Sequence, residues 1–324
     1  MIRIQKSKIK NHKLQITNYK LQMALYLGID AGGTKTDSAV SNGAELLGQA
    51  TGASCKLSRV GEEEARRNLH QVILRACEAA KINPQAINQV CIGMSGASQA
   101  GVPAWAERVI HELVPGQVKV MGDHVIAHRA AFGAMPGVLV LAGTGSFAYG
   151  RNEKGQTARA GGWGPPVSDE GSAFWIGREA LSAALRLYDR SNNNGLLSTI
   201  SEIWQAGSPE EVIRIANSDA PVRFAELATA VSAAAEKGDP TAQEIATRAG
   251  RELAALAAIV IARLWPADAV VRVAMAGGVL QGSSLVRRAF QEKIQTDCPN
   301  AALSFAYVRP VLGALALAQQ GALK

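Results

Sequence analysis

The chain is 324 residues long, 48% hydrophobic, and carries a net charge of +7. That length and apolar content can bury the cores of two domains, and no apolar stretch reaches the roughly 18 residues of a membrane-spanning helix. Nucleic-acid binding is excluded too: Arg3, Lys6, Lys8, Lys10, Lys13 and Lys20 all precede Met23, leaving about +1 and no basic stripe on the remainder.

Residues 1–22 have neither the apolar core of a signal peptide nor the Arg/Ser balance of a transit peptide. They are read as a basic leader, non-native or disordered, ahead of the folded chain. The first element follows directly. Residues 25–30 form a short apolar run closed by Ala31-Gly32-Gly33-Thr34, Lys35-Thr36 open a second run through Val40, and Asn42-Gly43 mark the next turn. This is strand, tight turn, strand, turn. Residues 61–81 have helical spacing, with Ala65, Leu69, Val72, Ile73 and Ala76 on one face. A buried strand over 90–93 ends in Met94-Ser95-Gly96-Ala97-Ser98, and a helix covers 102–113. A strand over 118–121 then runs into Gly122-Asp123 and a helix over 124–132.

The opening pattern then repeats. Residues 138–142 are apolar, Gly143-Thr144-Gly145-Ser146 form the turn, Phe147-Ala148-Tyr149-Gly150 return, and 152–155 turn again. Two copies of one hairpin predict two similar lobes, each offering backbone N–H groups and hydroxyls to a phosphate between them. A loop over 161–171 precedes a helix over 172–188, residues 189–194 are polar and turn-rich, and 209–264 reads as almost wholly helical. A strand over 270–275 ends in Ala276-Gly277-Gly278-Val279. A helix over 284–296, a strand over 303–308 and a buried apolar helix over 311–320 complete the pattern. The expected lobes are 23–135, completed by the helix within 311–324, and 136–310.

Several residues could do chemistry. A P-loop or dinucleotide fingerprint runs from strand into helix, whereas Gly33 and Gly145 are followed by strand-like composition, so a phosphate would meet a hairpin. Asp30 and Asp123 end strands beside glycines, where loops build sites in open α/β sheets. Asp123 reads as a general base or a helix cap, and Asp30 as a carboxylate that holds Mg²⁺ through water. The stretch with Gly162, Trp163, Gly164 and Asp169 reads as a stiff loop that both caps the next helix and faces a polyhydroxylated ligand. His124 and His128 lack a third nearby ligand and read as packing residues. Ser95 lacks the preceding glycine of a nucleophile elbow. Gly277-Gly278 fit either close approach to a flat ligand such as adenine or a simple turn. Cys55, Cys77, Cys91 and Cys298 form no Cys-x-x-Cys pair, which favours a reduced, cytoplasmic protein without structural zinc.

The pieces IDAGGTKT (29–36), GTGSFAYGRNEKGQTARAGGWG (143–164), SDEGSAFWIGREAL (168–181) and AGGV (276–279) carry a resemblance. From about Met23 to the C-terminus the chain resembles the BadF/BadG/BcrA/BcrD-type ATPases, and among them the N-acetylglucosamine kinases of the actin-like, sugar-kinase and Hsp70 fold. The resemblance implies an α/β fold of two duplicated actin-like (ribonuclease H-like) lobes. It also implies use of ATP and Mg²⁺ to phosphorylate an amino sugar, N-acetylglucosamine or glucosamine. By carry-over, Gly32, Gly33, Thr34, Lys35 and Thr36 with Gly143, Thr144 and Gly145 would meet the ATP phosphates, and Gly277 and Gly278 the adenosine. Asp123 would be the base, and Ser95, Gly96, Ser146, Phe147, Gly162, Trp163, Gly164 and Asp169 would surround the sugar.

Three departures leave the exact sugar open. Phe147 replaces an Asn that contacts the sugar in better-known kinases, Ser168 replaces a Gly, and Ser54-Cys55-Lys56 lacks an expected Asn. The alternative is an ATPase coupled to a partner protein. Activators of that kind carry a cysteine at the Gly-Thr-Gly motif for an iron–sulfur cluster, and none stands near Gly143. Pairing with a second copy of the chain is left open.

Overall fold

The first hairpin forms as its composition predicts. β1 (Leu25–Ala31) and β2 (Lys35–Ser41) pair antiparallel with Ala31 opposite Thr36, and β3 (Leu46–Ala53) extends the meander. A computed structural model describes residues 24–165, 167–191, 195–218 and 224–321; the expected leader lies outside the described residues. After the four-residue α1 (Leu57–Val60), α2 (Glu62–Ala79) buries Ala65, Leu69, Val72 and Ile73 against the sheet. Its first turn carries Glu62, Glu63 and Glu64, which suit the positive end of the helix dipole. β4 (Ile87–Met94) joins β1 in parallel, α3 (Val102–His111) crosses back, β5 (Gln117–Gly122) joins β4 in parallel, and α4 (Asp123–Phe132) leaves it. The sheet order is β3-β2-β1-β4-β5.

The second half repeats this order strand for strand. β6 (Gly137–Ala142), β7 (Ser146–Arg151) and β8 (Thr157–Gly161) form the meander, and β9 (Val271–Ala276) and β10 (Ala301–Phe305) add in parallel to give β8-β7-β6-β9-β10. Between β8 and β9 lie α5 (Ala173–Ser191), α6 (Gly195–Trp204), α7 (Pro209–Ala216), α8 (Leu227–Glu236) and α9 (Pro240–Leu264). α10 (Gly278–Gly282) and α11 (Ser284–Asp297) link β9 to β10, and α12 (Pro310–Gly321) closes the described chain. This is the duplicated α/β architecture that the resemblance implies.

Local chemistry explains where the expected boundaries shifted. The helical region expected over 209–264 is divided among α7, α8 and α9: Ser208 starts α7 by accepting the Glu211 N–H, and Asp239 breaks the run before α9 by accepting the Ala242 N–H. A proline follows each cap at the first helical position, where its missing N–H costs nothing. The strand expected over 303–308 is β10 instead, since its ladder partner β9 runs only from Val271 opposite Ala301 to Met275 opposite Phe305. The polar residues Asp189 and Arg190 continue α5 rather than ending it, and 192–194 lie outside the described residues.

Two contacts position the site. α12 lies across β1 and against α4: a Cβ on Gly28 would stand 2.5 Å from the Leu315 amide nitrogen, and one on Gly313 would run into the Ile126 carbonyl. α4 also touches the second sheet, where Ala127 and Phe132 pack with Leu139, Ala274 and Ala276. The helix that begins at Asp123 therefore packs against both halves of the molecule.

Candidate active site

The parallel strands deliver their C-terminal ends to one level. Ala31 is in register with Met94, and Met94 with Gly122, so Gly32, Ser95 and Asp123 are the next residues on three adjacent strands. The Ser95 N–H donates to the Ala31 carbonyl at 3.3 Å, which ties the Ser95-Gly96 turn to the first hairpin. In the second sheet Leu141 is in register with Ala276, placing Ala142-Gly143 beside Gly277. Gly277 has φ +96°, and a Cβ there would collide with the Ala142 carbonyl, so this position requires glycine both for its backbone and for its space.

The two hairpin tips face each other. Thr34 Oγ1 and Thr144 Oγ1, 110 residues apart in sequence, are 3.4 Å apart, and both residues are exposed. The second tip is braced from behind: the Ala173 and Phe174 N–H groups at the start of α5 donate to the Gly143 and Thr144 carbonyls at 2.9 and 3.3 Å. Behind the first tip, the Arg59 guanidinium donates to the Gly33 carbonyl at 2.7 Å. The hydroxyls of Thr36 and Ser146 are engaged within the protein, which leaves their backbone groups to face a ligand. Both lie at the starts of strands, Thr36 second in β2 and Ser146 first in β7, with their side chains turned into the interior, where Thr36 donates to Cys55 Sγ and Ser146 to the Glu170 carbonyl at 2.7 Å. Lys35 is exposed at the tip and ion-paired to Asp37 at 2.7 Å.

Three carboxyl groups crowd the first lobe's side of the cleft. Asp30 is opposite Asp37 in the β1–β2 ladder. Burial, then the charges of Asp37 and Asp123, push the Asp30 carboxyl from 3.8 up to about 7, partly offset by Lys35. Asp123 sits in the first turn of α4, not at its cap. Its Oδ1 accepts the N–H of the adjacent His124 at 2.8 Å, and its side chain is 35% exposed. His124 Nδ1 lies 3.4 Å from that same oxygen, and its ring packs on Tyr149 with centroids 4.8 Å apart. His128 is buried with Nε2 at 3.0 Å from the Gly137 carbonyl, a packing role. The Phe147 ring packs edge-on to His124 and on the small apolar cluster beneath it, and its side chain also borders Gly162, where a Cβ would stand 3.1 Å from the Phe147 Cβ.

Asp169 comes from the second half. It is buried at φ +66°, directly behind the second hairpin, where a Cβ on Gly145 would lie 2.7 Å from its Oδ2. Burial raises its pKa above the usual carboxylate range, opposed by the Gly164 and Ser146 N–H groups that it accepts. The expected helix cap is not Asp169. Ser172 takes that place, its Oγ accepting the Trp175 N–H at 3.2 Å, because the Asp169 carboxylate is already held by the loop and hairpin backbone. Between Gly162 and Gly164, both at positive φ, Trp163 is 73% exposed, with the Arg159 guanidinium 4.7 Å from its ring centroid.

On the other side of the second hairpin is a cavity of about 440 Å³. Gly143, Thr144, Gly278, Val279 and Gly282 line one wall, and Thr229, Ser232 and Glu236 of α8 the other. Gly278 thus reaches the cavity, whereas Gly277 serves the turn. The α8 wall was not anticipated, although its spacing of three and four residues on an alanine helix puts three polar side chains on one stripe. A smaller cavity of about 240 Å³, at the opposite end of β9 near Val271, Trp265 and Cys298, contains none of the expected site residues.

Comparisons with known proteins identify the family and the fold. The sequence model of the BadF/BadG/BcrA/BcrD ATPase family matches residues 27–318. The N-acetylmuramic acid/N-acetylglucosamine kinase of Clostridium acetobutylicum is 29% identical over 282 residues, 86% of this chain and 92% of that protein. The N-acetyl-D-glucosamine kinase of Dictyostelium discoideum is 27% identical over 312 residues, 91% of this chain and 97% of that protein. A solved structure from Chromobacterium violaceum, provisionally called an N-acetylglucosamine kinase, matches with a TM-score of 0.76 at 24% identity, covering 92% of this chain and 100% of that one. The shared fold is the two-lobed actin-like ATPase fold.

Proposed function

The chain belongs to the BadF/BadG/BcrA/BcrD ATPase family, and on that premise we propose that it transfers the γ-phosphoryl group of ATP to a hydroxyl of an amino sugar, N-acetylglucosamine or glucosamine. The observation that carries this reading is the meeting of Thr34 and Thr144, 3.4 Å apart, at the tips of two equivalent hairpins. Such tips present backbone N–H groups and hydroxyls to phosphate oxygens from both sides. The names of the two curated relatives support the same reaction class.

In this reading the lobes are 23–135, completed by 311–324, and 136–310. The adenosine occupies the cavity between Gly278 and α8, and the sugar lies on the Asp169 side. Asp123, with one carboxylate oxygen uncommitted, accepts the proton of the attacking hydroxyl. Asp169 accepts from ring hydroxyls, and Trp163 offers an exposed face to the sugar ring. Asp30 suits a hard cation, since it is a partly buried carboxyl crowded by other acids and in need of positive charge. Mg²⁺ is commonly held in this way, through one or two carboxylates, waters and substrate phosphates. Bound Mg²⁺ would neutralise charge on the phosphoryl oxygens. Closure of the lobes would exclude water and limit futile ATP hydrolysis.

The test is ADP release measured over a panel of hexoses, amino sugars and N-acetyl sugars. Release should rise with N-acetylglucosamine or glucosamine and less with glucose. If no sugar raises ADP release above the protein's own ATP hydrolysis, the kinase reading fails, and an ATPase serving a partner protein becomes the better account.

A further inference from the structure

We propose that Lys56 is the specificity-determining residue that admits a carboxylate-bearing amino sugar, its ammonium pairing with an acidic substituent such as the lactyl ether of N-acetylmuramic acid. This deepens the sugar-kinase reading and rests on it for the location of the sugar.

The backbone at Lys56 is built into the first hairpin. Ser54 Oγ donates to the Gly32 carbonyl at 3.0 Å and accepts the Lys56 N–H at 3.2 Å, while Asn68 Nδ2 holds the Ser54 carbonyl at 2.8 Å. The Lys56 carbonyl accepts the Arg59 N–H at 2.9 Å. The side-chain stem then runs beside the hairpin tip, with Cδ 4.0 Å from where a Cβ on Gly33 would stand. That tip meets the second hairpin through Thr34 and Thr144, and the second hairpin's Gly145 abuts Asp169. The positive charge of Lys56 is accordingly felt by the Asp169 carboxyl.

What distinguishes Lys56 is that its charge is uncommitted. Lys35 is paired with Asp37, Arg59 with the Gly33 carbonyl, and Arg159 lies over Trp163. The Lys56 ammonium makes no hydrogen bond or ion pair among the described residues, yet the residue is half-buried. A neutral sugar has no group that needs this cation. A carboxylated sugar does, since the Asp169 carboxyl that feels the Lys56 charge would otherwise repel it. The nucleotide cavity lies across the second hairpin, at Gly143 and Gly278, away from the Asp169 side.

The experiment compares N-acetylglucosamine with N-acetylmuramic acid in the full chain, Lys56→Met and Lys56→Gln, by calorimetric binding and by ADP release at saturating ATP. Equal melting temperatures establish that the variants fold. The wild type should bind and phosphorylate the acidic sugar. Each substitution should lower the acidic-to-neutral ratio of kcat/KM roughly 10–100-fold, the worth of one charge-assisted hydrogen bond, through KM rather than kcat. An unchanged ratio overturns the proposal, as does a parallel loss on both sugars with a raised KM for ATP, which would assign the ammonium to the phosphates. If the acidic sugar binds in a Lys56-dependent way but neither sugar is phosphorylated, the specificity role stands and the kinase reading falls. If N-acetylglucosamine is phosphorylated while the acidic sugar neither binds nor reacts, the kinase reading stands and the specificity role falls.

Discussion

Asp30→Asn should stabilise the metal-free protein, and more so as pH rises. In the folded chain, burial and the charges of Asp37 and Asp123 hold the Asp30 carboxyl at about 7, against 3.8 without those neighbours. A folded pKa above the unfolded one means that the native state grips the proton more tightly. The stability from this group is therefore complete below about pH 4 and is lost as pH rises through about 7. At 1.36 kcal/mol per pH unit, the loss is at most about 4 kcal/mol at pH 8, of which about 2–3 kcal/mol develops between pH 5 and pH 8. Asparagine keeps the shape without the charge. At about 2 °C per kcal/mol for a chain of this size, its melting advantage should grow by about 5 °C between those two pH values. The assay is thermal unfolding of both proteins in chelator at pH 5 and pH 8, repeated at pH 8 with Mg²⁺ and ATP, which should stabilise the wild type more than the variant. An advantage that is the same at both pH values, or that shrinks at pH 8, would refute the claim that Asp30 is an uncompensated acid awaiting a cation.

Two further outcomes test the rest of the site. Asp123→Asn should lower kcat by roughly 10²–10⁴-fold, the range for loss of a general base, with little change in ATP affinity; near-normal turnover in a steady-state assay would remove Asp123 from the base role. Gly277→Ala should cost about 1–3 kcal/mol of stability, because alanine must take φ +96° and push its Cβ against the Ala142 carbonyl. A denaturant titration with an unshifted midpoint would show that the strand end can relax around it.

Much of this protein is written locally. Both hairpins, the strand ends carrying Asp30 and Asp123, and the helix of α2 follow from glycine turns, apolar runs and a 3.6-residue period, which act between near neighbours in the chain. Capping is local too, yet it was misassigned. A serine and two acids stand together before α5, and only the prior engagement of Asp169 by the Gly164 and Ser146 N–H groups leaves Ser172 to cap. The inward hydroxyls of Thr36 and Ser146 were hidden in the sequence for a related reason. Alternation along a strand says that successive side chains take opposite faces, but not which face another element will cover.

Composition and local pattern determined that this chain would make two like α/β halves with a phosphate-type turn in each. Tertiary structure alone decided that Thr34 would stand 3.4 Å from Thr144, that Asp30 and Asp123 would share a charged cleft, that α8 would wall the cavity, and that Lys56 would be left with an uncommitted charge. Those outcomes depend on contacts between residues far apart in sequence, and on the desolvation and Coulomb energies that exist only once both lobes have folded around the same space.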